Sequence, residues 1–209
     1  YQQALLCDWM PIQCDLAKIP ALGLEATAIP PYMLLALEDA PDRHQQRAQK
    51  QIKEKYIRKP LATKKAPVKM PKRIRIGYFS ADFYDHPVSH LISKVLELHN
   101  RDKFEVYAYA YGPEKYDYMR ERIKRSVDVF RDIRGLNDLQ VANLACSDGI
   151  DIAIDLTGFT THGRLGIFAY RAAPIQINYI GFPGTTGSDF MDYIITDKYL
   201  VPDGSHKFF

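Results

Sequence analysis

The stretch RIRIGYFSADFYDHPVSHLISKVLELH, residues 73–99, decides the fold class. It begins with strong β formers (73–80), continues through a polar loop, and ends in a run (90–99) with the apolar spacing of a helix. The apolar side chains of that run are predicted to form one buried helix face: Leu91, Ile92, Val95, Leu96 and Leu98. A strand followed directly by a helix is the first unit of an alternating α/β fold.

The same alternation continues to residue 197. Further strands are predicted at 104–112, 127–131, 150–158, 175–184 and 193–197, with helices at 116–126, 136–146 and 165–172 between them. IDIAIDLTG (150–158) is almost continuously apolar, which is typical of a parallel strand covered on both faces. We therefore predict an α/β fold with a Rossmann-like doubly wound parallel sheet, whose ligands bind at the carboxyl ends of the strands.

Two segments are predicted before this lobe, which spans residues 73–209. Residues 1–58 are expected to be a helical segment, and residues 59–72 a basic, proline-containing linker. Within the first segment, MLLAL (33–37) predicts a short buried helix, and Asp42 is a candidate cap for the polar helix that follows. An apolar stripe is predicted at Ala4, Leu5, Trp9 and Ile12. For the linker, a role in spacing and solubility is favoured over phosphate or membrane binding.

Composition excludes several classes of function. The 209 residues are 46% hydrophobic and 25% charged, as in ordinary globular proteins, and the net charge of +3 is too small to argue for a nucleic-acid partner. No apolar run has membrane-spanning length, so no membrane partner is expected. Three cysteines without zinc-ligand spacing indicate a reducing compartment, and we expect a cytoplasmic location. Because Tyr1 stands where a Met would start a chain, we expect a piece of a longer protein.

The loop after the first predicted strand is the first candidate for chemistry. SADFYDHPVSH (80–90) places His86 and His90 at the mouth of the strand that we expect to be central. Histidine is the usual side chain for proton transfer near neutral pH. A single histidine in such a loop is more often structural, but two histidines in one loop make a functional role as well supported as a structural one.

Two later loops are rich in glycine and hydroxyl groups. DLTGFTTHGR (155–164) supplies polar side chains and glycines that would let a ligand approach the backbone, although a plain turn is the alternative. GFPGTTGSD (181–189) has three glycines and two threonines and suits a phosphate cradle, but it is neither a Walker motif nor GxGxxG. The sequence offers no carboxylate cluster suited to a metal.

Three motifs that fall in this order resemble one known family. RIGYFSADFYDHPVSHLI (75–92), DGIDIAIDLTGFTTHGRLGIFAYRAAPIQINYIGFPGTTG (148–187) and FMDYIITD (190–197) are similar to the O-linked N-acetylglucosamine transferase family, glycosyltransferase family 41. The resemblance covers about residues 73–201, and CDWMPIQCDL (7–16) looks like the helical segment that precedes this region in the family.

The resemblance implies a fold and an activity. The family's catalytic region has two Rossmann-like halves in the GT-B arrangement and usually follows tetratricopeptide repeats. It transfers N-acetylglucosamine from UDP-N-acetylglucosamine to Ser or Thr hydroxyls of proteins, with inversion, with no cofactor and no required metal. The chain would be the first half, and the second half, which binds most of the UDP, would be absent. We therefore expect the chain alone to have little or no activity.

The resemblance also implies site residues. The catalytic candidates are His86 and His90. The candidates for substrate binding are Asp155, Gly158, Thr160, Pro183, Gly184 and Thr185, with His162 added because Phe159 stands where many bacterial relatives have a histidine. Two alternatives stay open: a related enzyme with another donor sugar, such as a protein O-fucosyltransferase, and a non-catalytic binding module on the same fold.

Overall fold

The computed structural model describes residues 2, 6–57, 59–61 and 72–209. The predictions made for Ala4, Leu5 and most of the linker lie outside these residues. The described residues form two compact units, one within Arg58–Phe182 and Asp189–Thr196, the other within Tyr1–Ile57, Pro183–Ser188 and Asp197–Phe209. Part of the predicted lobe of residues 73–209 therefore belongs to the second unit. Each unit is described separately below.

The first unit is built on one sheet of six parallel strands, which confirms the predicted fold class. The strands are β1 (Ile74–Ser80), β2 (Phe104–Ala110), β3 (Val129–Asp132), β4 (Ile152–Asp155), β5 (Ile175–Tyr179) and β6 (Tyr193–Ile195). Their order is β3-β2-β1-β4-β5-β6, the order of a Rossmann sheet, with β1 and β4 as neighbours at the centre. Ligands of such sheets bind where the order reverses, beyond the ends of these two strands.

Four helices connect the strands of this unit. They are α3 (Pro87–Leu98), α4 (Tyr118–Arg125), α5 (Asp138–Asp148) and the single turn α6 (Gly166–Ala169), numbered after α1 and α2 of the second unit. Asn137 caps α5: its side chain accepts from the Gln140 amide, and the Gln140 side chain accepts from the Asn137 amide. Gly149, in the left-handed conformation, ends α5.

The predicted buried face of α3 is wrong for three of its five residues. Ile92 and Leu96 are fully buried against the sheet, whereas Leu91, Val95 and Leu98 are 62%, 38% and 70% exposed. At 3.6 residues per turn, positions 92 and 96 share one side of the helix, and positions 91, 95 and 98 share an adjacent side about 110° away. An apolar run that covers most of a helix circumference does not reveal which side faces the core.

The second unit contains α1 (Trp9–Asp15), α2 (Pro41–Lys55) and three short 3-10 turns. Arg47 of α2 is fully buried and donates to the carbonyls of Leu22 and Ile19, at 2.8 and 2.9 Å. It also pairs with Glu38, so a charged group lies at the centre of this unit.

Three predictions for the second unit are wrong. Asp42 does not cap α2, because Pro41 takes the first helical position and the capping residue is Ala40. The predicted helix at 33–37 is a 3-10 turn, Pro31–Leu34, in which Leu34 is buried. The predicted apolar stripe fails at Trp9, which is 53% exposed, and no described residue of α1 is buried. In the described part of the chain, no helix has the length and apolar character needed to cross a membrane.

Candidate active site

The candidate site lies where β1, β4 and β5 end, at the carboxyl edge of the sheet in the first unit. The backbones of the loops after β4 and β5 touch one another. A Cβ atom placed on Gly181 would lie 1.9 Å from the Leu156 carbonyl oxygen. At Gly158, where φ is +58°, a Cβ atom would lie 2.4 Å from Cβ of Phe182. Both positions therefore require glycine, and the two loops form one packed wall.

Thr157 ties this wall to the loops after β1 and β2. Its hydroxyl oxygen accepts from the backbone amide of Ala81 at 3.3 Å and from the hydroxyl of Tyr111 at 2.9 Å. Burial, helped by the charge of Asp155, raises the pKa of Tyr111 well above its usual value, so this phenol remains a donor. A single buried hydroxyl group therefore holds three strand ends together.

Asp155 stabilises the loop after β4 through its side chain. Its carboxylate is fully buried and accepts from the amides of Thr157 (3.1 Å) and Gly158 (2.9 Å) and from Nδ2 of Asn178 (3.1 Å). Burial raises its pKa to about 6, against the opposing effect of these three donors. Asp155 was predicted to bind substrate, and the structure buries it completely, where its carboxylate holds the backbone of Thr157 and Gly158.

His86 is held at the N-terminus of α3. It is the capping residue, and its Nδ1 accepts from the Val88 amide at 3.3 Å. The same nitrogen lies 3.9 Å from Oδ2 of Asp82, a buried residue in the loop after β1. Burial raises the pKa of Asp82, while the nearby imidazoles of His86 and His162 act to lower it. His86 therefore pairs a partly exposed imidazole with a buried acid.

His90 lies one turn further along α3 in a different environment. Its Nε2 is 2.7 Å from Oδ1 of Asp85 and 3.4 Å from the hydroxyl of Tyr118. The side chains of His90 and Asp85 are 48% and 55% exposed. The structure thus separates the two predicted catalytic histidines, since each has its own carboxylate partner.

The remaining predicted residues fall in two groups. In the first unit, Thr160 donates through its hydroxyl to the Thr157 carbonyl at 2.8 Å, and His162 is exposed with φ at +64°. Pro183, Gly184 and Thr185 belong to the second unit, where Oγ1 of Thr185 accepts from the Gly187 amide at 3.1 Å.

Four residues of the site were not among the predicted ones: Asp82, Tyr111, Thr157 and Asn178. The sequence carried a signal for Asn178, because an amide inside a buried strand needs a partner, and Asn178 lies opposite Asp155 in the β4–β5 register. Tyr111 carried none, since it follows Tyr107 and Tyr109 in the same apolar run. Among the described residues, no three His, Cys, Asp or Glu side chains form a group that could hold a metal ion.

Comparison with known proteins agrees with this fold. The family model of glycosyl transferase family 41 matches residues 32–208. A probable UDP-N-acetylglucosamine–peptide N-acetylglucosaminyltransferase of Arabidopsis thaliana, SEC, is 43% identical over 131 residues, 63% of this chain and 13% of its own length. The UDP-N-acetylglucosamine–peptide N-acetylglucosaminyltransferase of Caenorhabditis elegans is 39% identical over 132 residues, 63% of this chain and 12% of its own.

A solved structure gives the same result in three dimensions. A mutant of the O-GlcNAc transferase of Thermobaculum terrenum superposes with a TM-score of 0.78 at 30% identity, over 94% of this chain and 39% of that one. The chain therefore spans about two fifths of that structure and about an eighth of the two curated relatives described above. Because the family model matches most of its length, the chain belongs to glycosyltransferase family 41.

Proposed function

We propose that this chain forms one wall of the active site of an enzyme that transfers N-acetylglucosamine from UDP-N-acetylglucosamine to Ser or Thr hydroxyls of proteins. Membership of family 41 and the names of the relatives support this activity. The observation that carries it is the position of His86, an imidazole at the carboxyl edge of the central strand, with a buried carboxylate beside Nδ1.

The chemistry is a displacement at the anomeric carbon with inversion. The acceptor oxygen forms the new bond to that carbon, the bond to the diphosphate oxygen breaks, and its electron pair leaves with UDP. The acceptor hydroxyl loses its proton, and His86 is the group that we propose accepts it. General-base catalysis of this kind contributes roughly 10²–10⁴-fold to a rate.

The loops after β4 and β5 supply the floor of this site. Gly158, Gly181 and Thr157 pack these loops tightly against one another, so the wall would present a sugar with a surface of fixed shape. No cofactor or metal has a role in this proposal, and the nucleotide sugar is a substrate. Charge on the departing diphosphate would be stabilised by helix N-termini or basic side chains of a second lobe outside these 209 residues. A protein acceptor and a cytoplasmic location complete the proposal.

The proposal is tested with a longer protein that carries this chain joined to a second lobe. Transfer of labelled N-acetylglucosamine to an acceptor peptide is measured for the wild type, for His86→Ala and for the matched variant His90→Ala. We expect His86→Ala to lower kcat at least about 100-fold, and His90→Ala to lower it by less than about tenfold, because the His90 ring is already engaged by Asp85. Unchanged activity in both variants would favour a non-catalytic binding module.

Two further measurements test the donor sugar and the need for a second lobe. A panel of nucleotide sugars offered to the same longer protein tests the donor, and a preference for GDP-fucose would overturn the N-acetylglucosamine assignment. The purified chain of 209 residues is expected to show little or no transfer by itself. Transfer at a rate comparable with that of the longer protein would show that the second lobe is not needed.

A further inference from the structure

Asp82 is a buried carboxylate to which the chemistry proposed above assigns no step. It lies in the loop after β1, and its side chain is 11% exposed. Its backbone is fixed on both sides, because its amide donates to Oγ of Ser80 at 2.9 Å and its carbonyl accepts from Oγ of Ser89 at 2.6 Å. Within the described residues, His86 is the only ion-pair partner of its carboxylate.

The ring of His86 lies between two groups that favour different protonation states of Nδ1. The Val88 amide, 3.3 Å away, donates to Nδ1 and therefore requires a lone pair there. The Asp82 carboxylate, 3.9 Å away, accepts and therefore favours a proton there. In a neutral imidazole only one nitrogen carries the proton, so these two contacts select opposite tautomers.

Only one of the two tautomers can act as the base through Nε2, the ring nitrogen that contacts neither Val88 nor Asp82. When Nδ1 caps the helix, Nε2 carries the proton and can only donate to an acceptor hydroxyl. When Nδ1 carries the proton and donates to Asp82, Nε2 has a free lone pair. A movement of about 1 Å of Nδ1 towards Oδ2 would close the contact to an ordinary hydrogen bond.

We propose that Asp82 is a positioning residue that draws the proton of neutral His86 to Nδ1 and thereby frees Nε2 to act as the base. This inference rests on the proposed function for its catalytic consequence, but the tautomer that it assigns does not depend on any activity. During transfer, the proton of the acceptor hydroxyl passes to Nε2, and the resulting imidazolium keeps its Nδ1 proton on the Asp82 carboxylate. The imidazolium later returns the Nε2 proton to solvent.

The other carboxylate of this loop cannot take this role. Asp85 binds His90 at 2.7 Å and is largely exposed, so it is both engaged elsewhere and weakened by water. Burial makes the Asp82 contact stronger than an exposed one at the same distance. This difference provides a matched control on the same loop.

The test is a nitrogen-15 NMR measurement on the 209-residue chain at pH 7.5, which reads the protonation of each ring nitrogen. In the wild type, both His86 nitrogens should have shifts between the limits of the two tautomers. In Asp82→Asn, the ratio of Nδ1–H to Nε2–H should fall about tenfold, because a neutral acceptor holds the proton less strongly. Asp85→Asn should leave the His86 shifts unchanged and move those of His90.

A wild-type His86 found only as the Nε2–H tautomer would overturn the proposal, and this measurement needs no variant to fold. Equal ratios in the wild type and a folded Asp82→Asn would overturn it as well. In the longer protein, Asp82→Asn should lower kcat roughly 10- to 100-fold with little change in the KM of the peptide. A tautomer change without any transferase activity in the wild type would refute the proposed function and leave the role of Asp82 standing.

Discussion

The loops after β4 and β1 lie side by side at the carboxyl edge of the sheet, and they use their polar groups differently. In the loop after β4, Asp155 and Thr157 are fully buried, and the hydrogen bonds described above engage both with neighbouring loops and strands. In the loop after β1, Asp85 and His86 keep part of their side chains in solvent, and the His86–Asp82 contact is 3.9 Å long.

This difference separates the frame of the site from its reactive groups. A fully engaged buried group holds one geometry and has nothing left to offer a substrate. A partly engaged, partly exposed imidazole can exchange a proton or a partner. We therefore expect substitutions in the loop after β4 to act on stability and substitutions in the loop after β1 to act on chemistry.

The largest effect on stability is expected for Gly181→Ala. The new methyl group would lie 1.9 Å from the Leu156 carbonyl oxygen, and its nearest neighbours are all backbone atoms of Leu156 and Thr157, which cannot rotate away as a side chain could. We expect the free energy of unfolding to fall by at least about 3 kcal/mol. Urea unfolding of the chain measures this value.

The matched control for this substitution is Gly135→Ala. Nothing lies within 4 Å of a Cβ atom at that position, so the change should stay within about 0.5 kcal/mol. Equal stability of the two variants would show that the loops after β4 and β5 can separate freely, and the wall described above would not be rigid.

Asp155→Asn is expected to have the next largest effect, with a pH dependence of definite sign. The variant offers an amide group to donors that need an acceptor, and we expect a loss of about 2 kcal/mol at pH 7.5. Because burial raises the folded-state pKa to about 6, above the unfolded value of about 3.9, the folded wild type holds its proton more tightly. Wild-type stability from this group is therefore present at low pH and is lost as the pH rises through about 6.

Urea unfolding at two pH values measures the sign of this pH dependence. The loss caused by Asp155→Asn should be about 1 kcal/mol larger at pH 5 than at pH 7.5. Asp102→Asn, at an exposed position, reports the background pH dependence of the chain. A smaller loss at pH 5 would mean that the three donors outweigh burial and that the carboxyl group of Asp155 has a lowered pKa.

The sheet could be predicted from the sequence because its strands are short runs rich in β-branched and aromatic residues that alternate with helical segments. The strand ends could not, since IDIAIDLTG remains apolar beyond Asp155, where pairing stops. After the Leu156 amide has bonded to the Phe79 carbonyl of β1, the Asp155 side chain accepts from the amides of Thr157 and Gly158, and these bonds end β4. These bonds are seen in the structure, whereas the sequence around Asp155 gives only a weak sign of them.

The site could be predicted as a set of loops but not as a set of contacts. His86 and His90 look alike in the sequence, and their different partners follow from where Asp82 and Asp85 point once β1 has ended. Tyr111 and Thr157 meet across 46 positions of the chain, which no spacing rule predicts. The assignment of residues 183–188 to the second unit was equally invisible, because their glycines and threonines suit a phosphate cradle as well as a packed turn.

The smallest effect on stability is expected for Asp85→Asn. The carboxylate of Asp85 is 55% exposed, and exposed ion pairs contribute little because water already solvates both partners. The Asp85 amide donates to Oδ2 of Asp117 at 2.9 Å, and this bond survives the substitution because it uses the backbone. The free energy of unfolding, measured by thermal unfolding, should therefore change by less than about 0.5 kcal/mol. A loss as large as that of Asp155→Asn would mean that the loop after β1 is a frame like its neighbour, and its histidines would then have to be interpreted as structural groups.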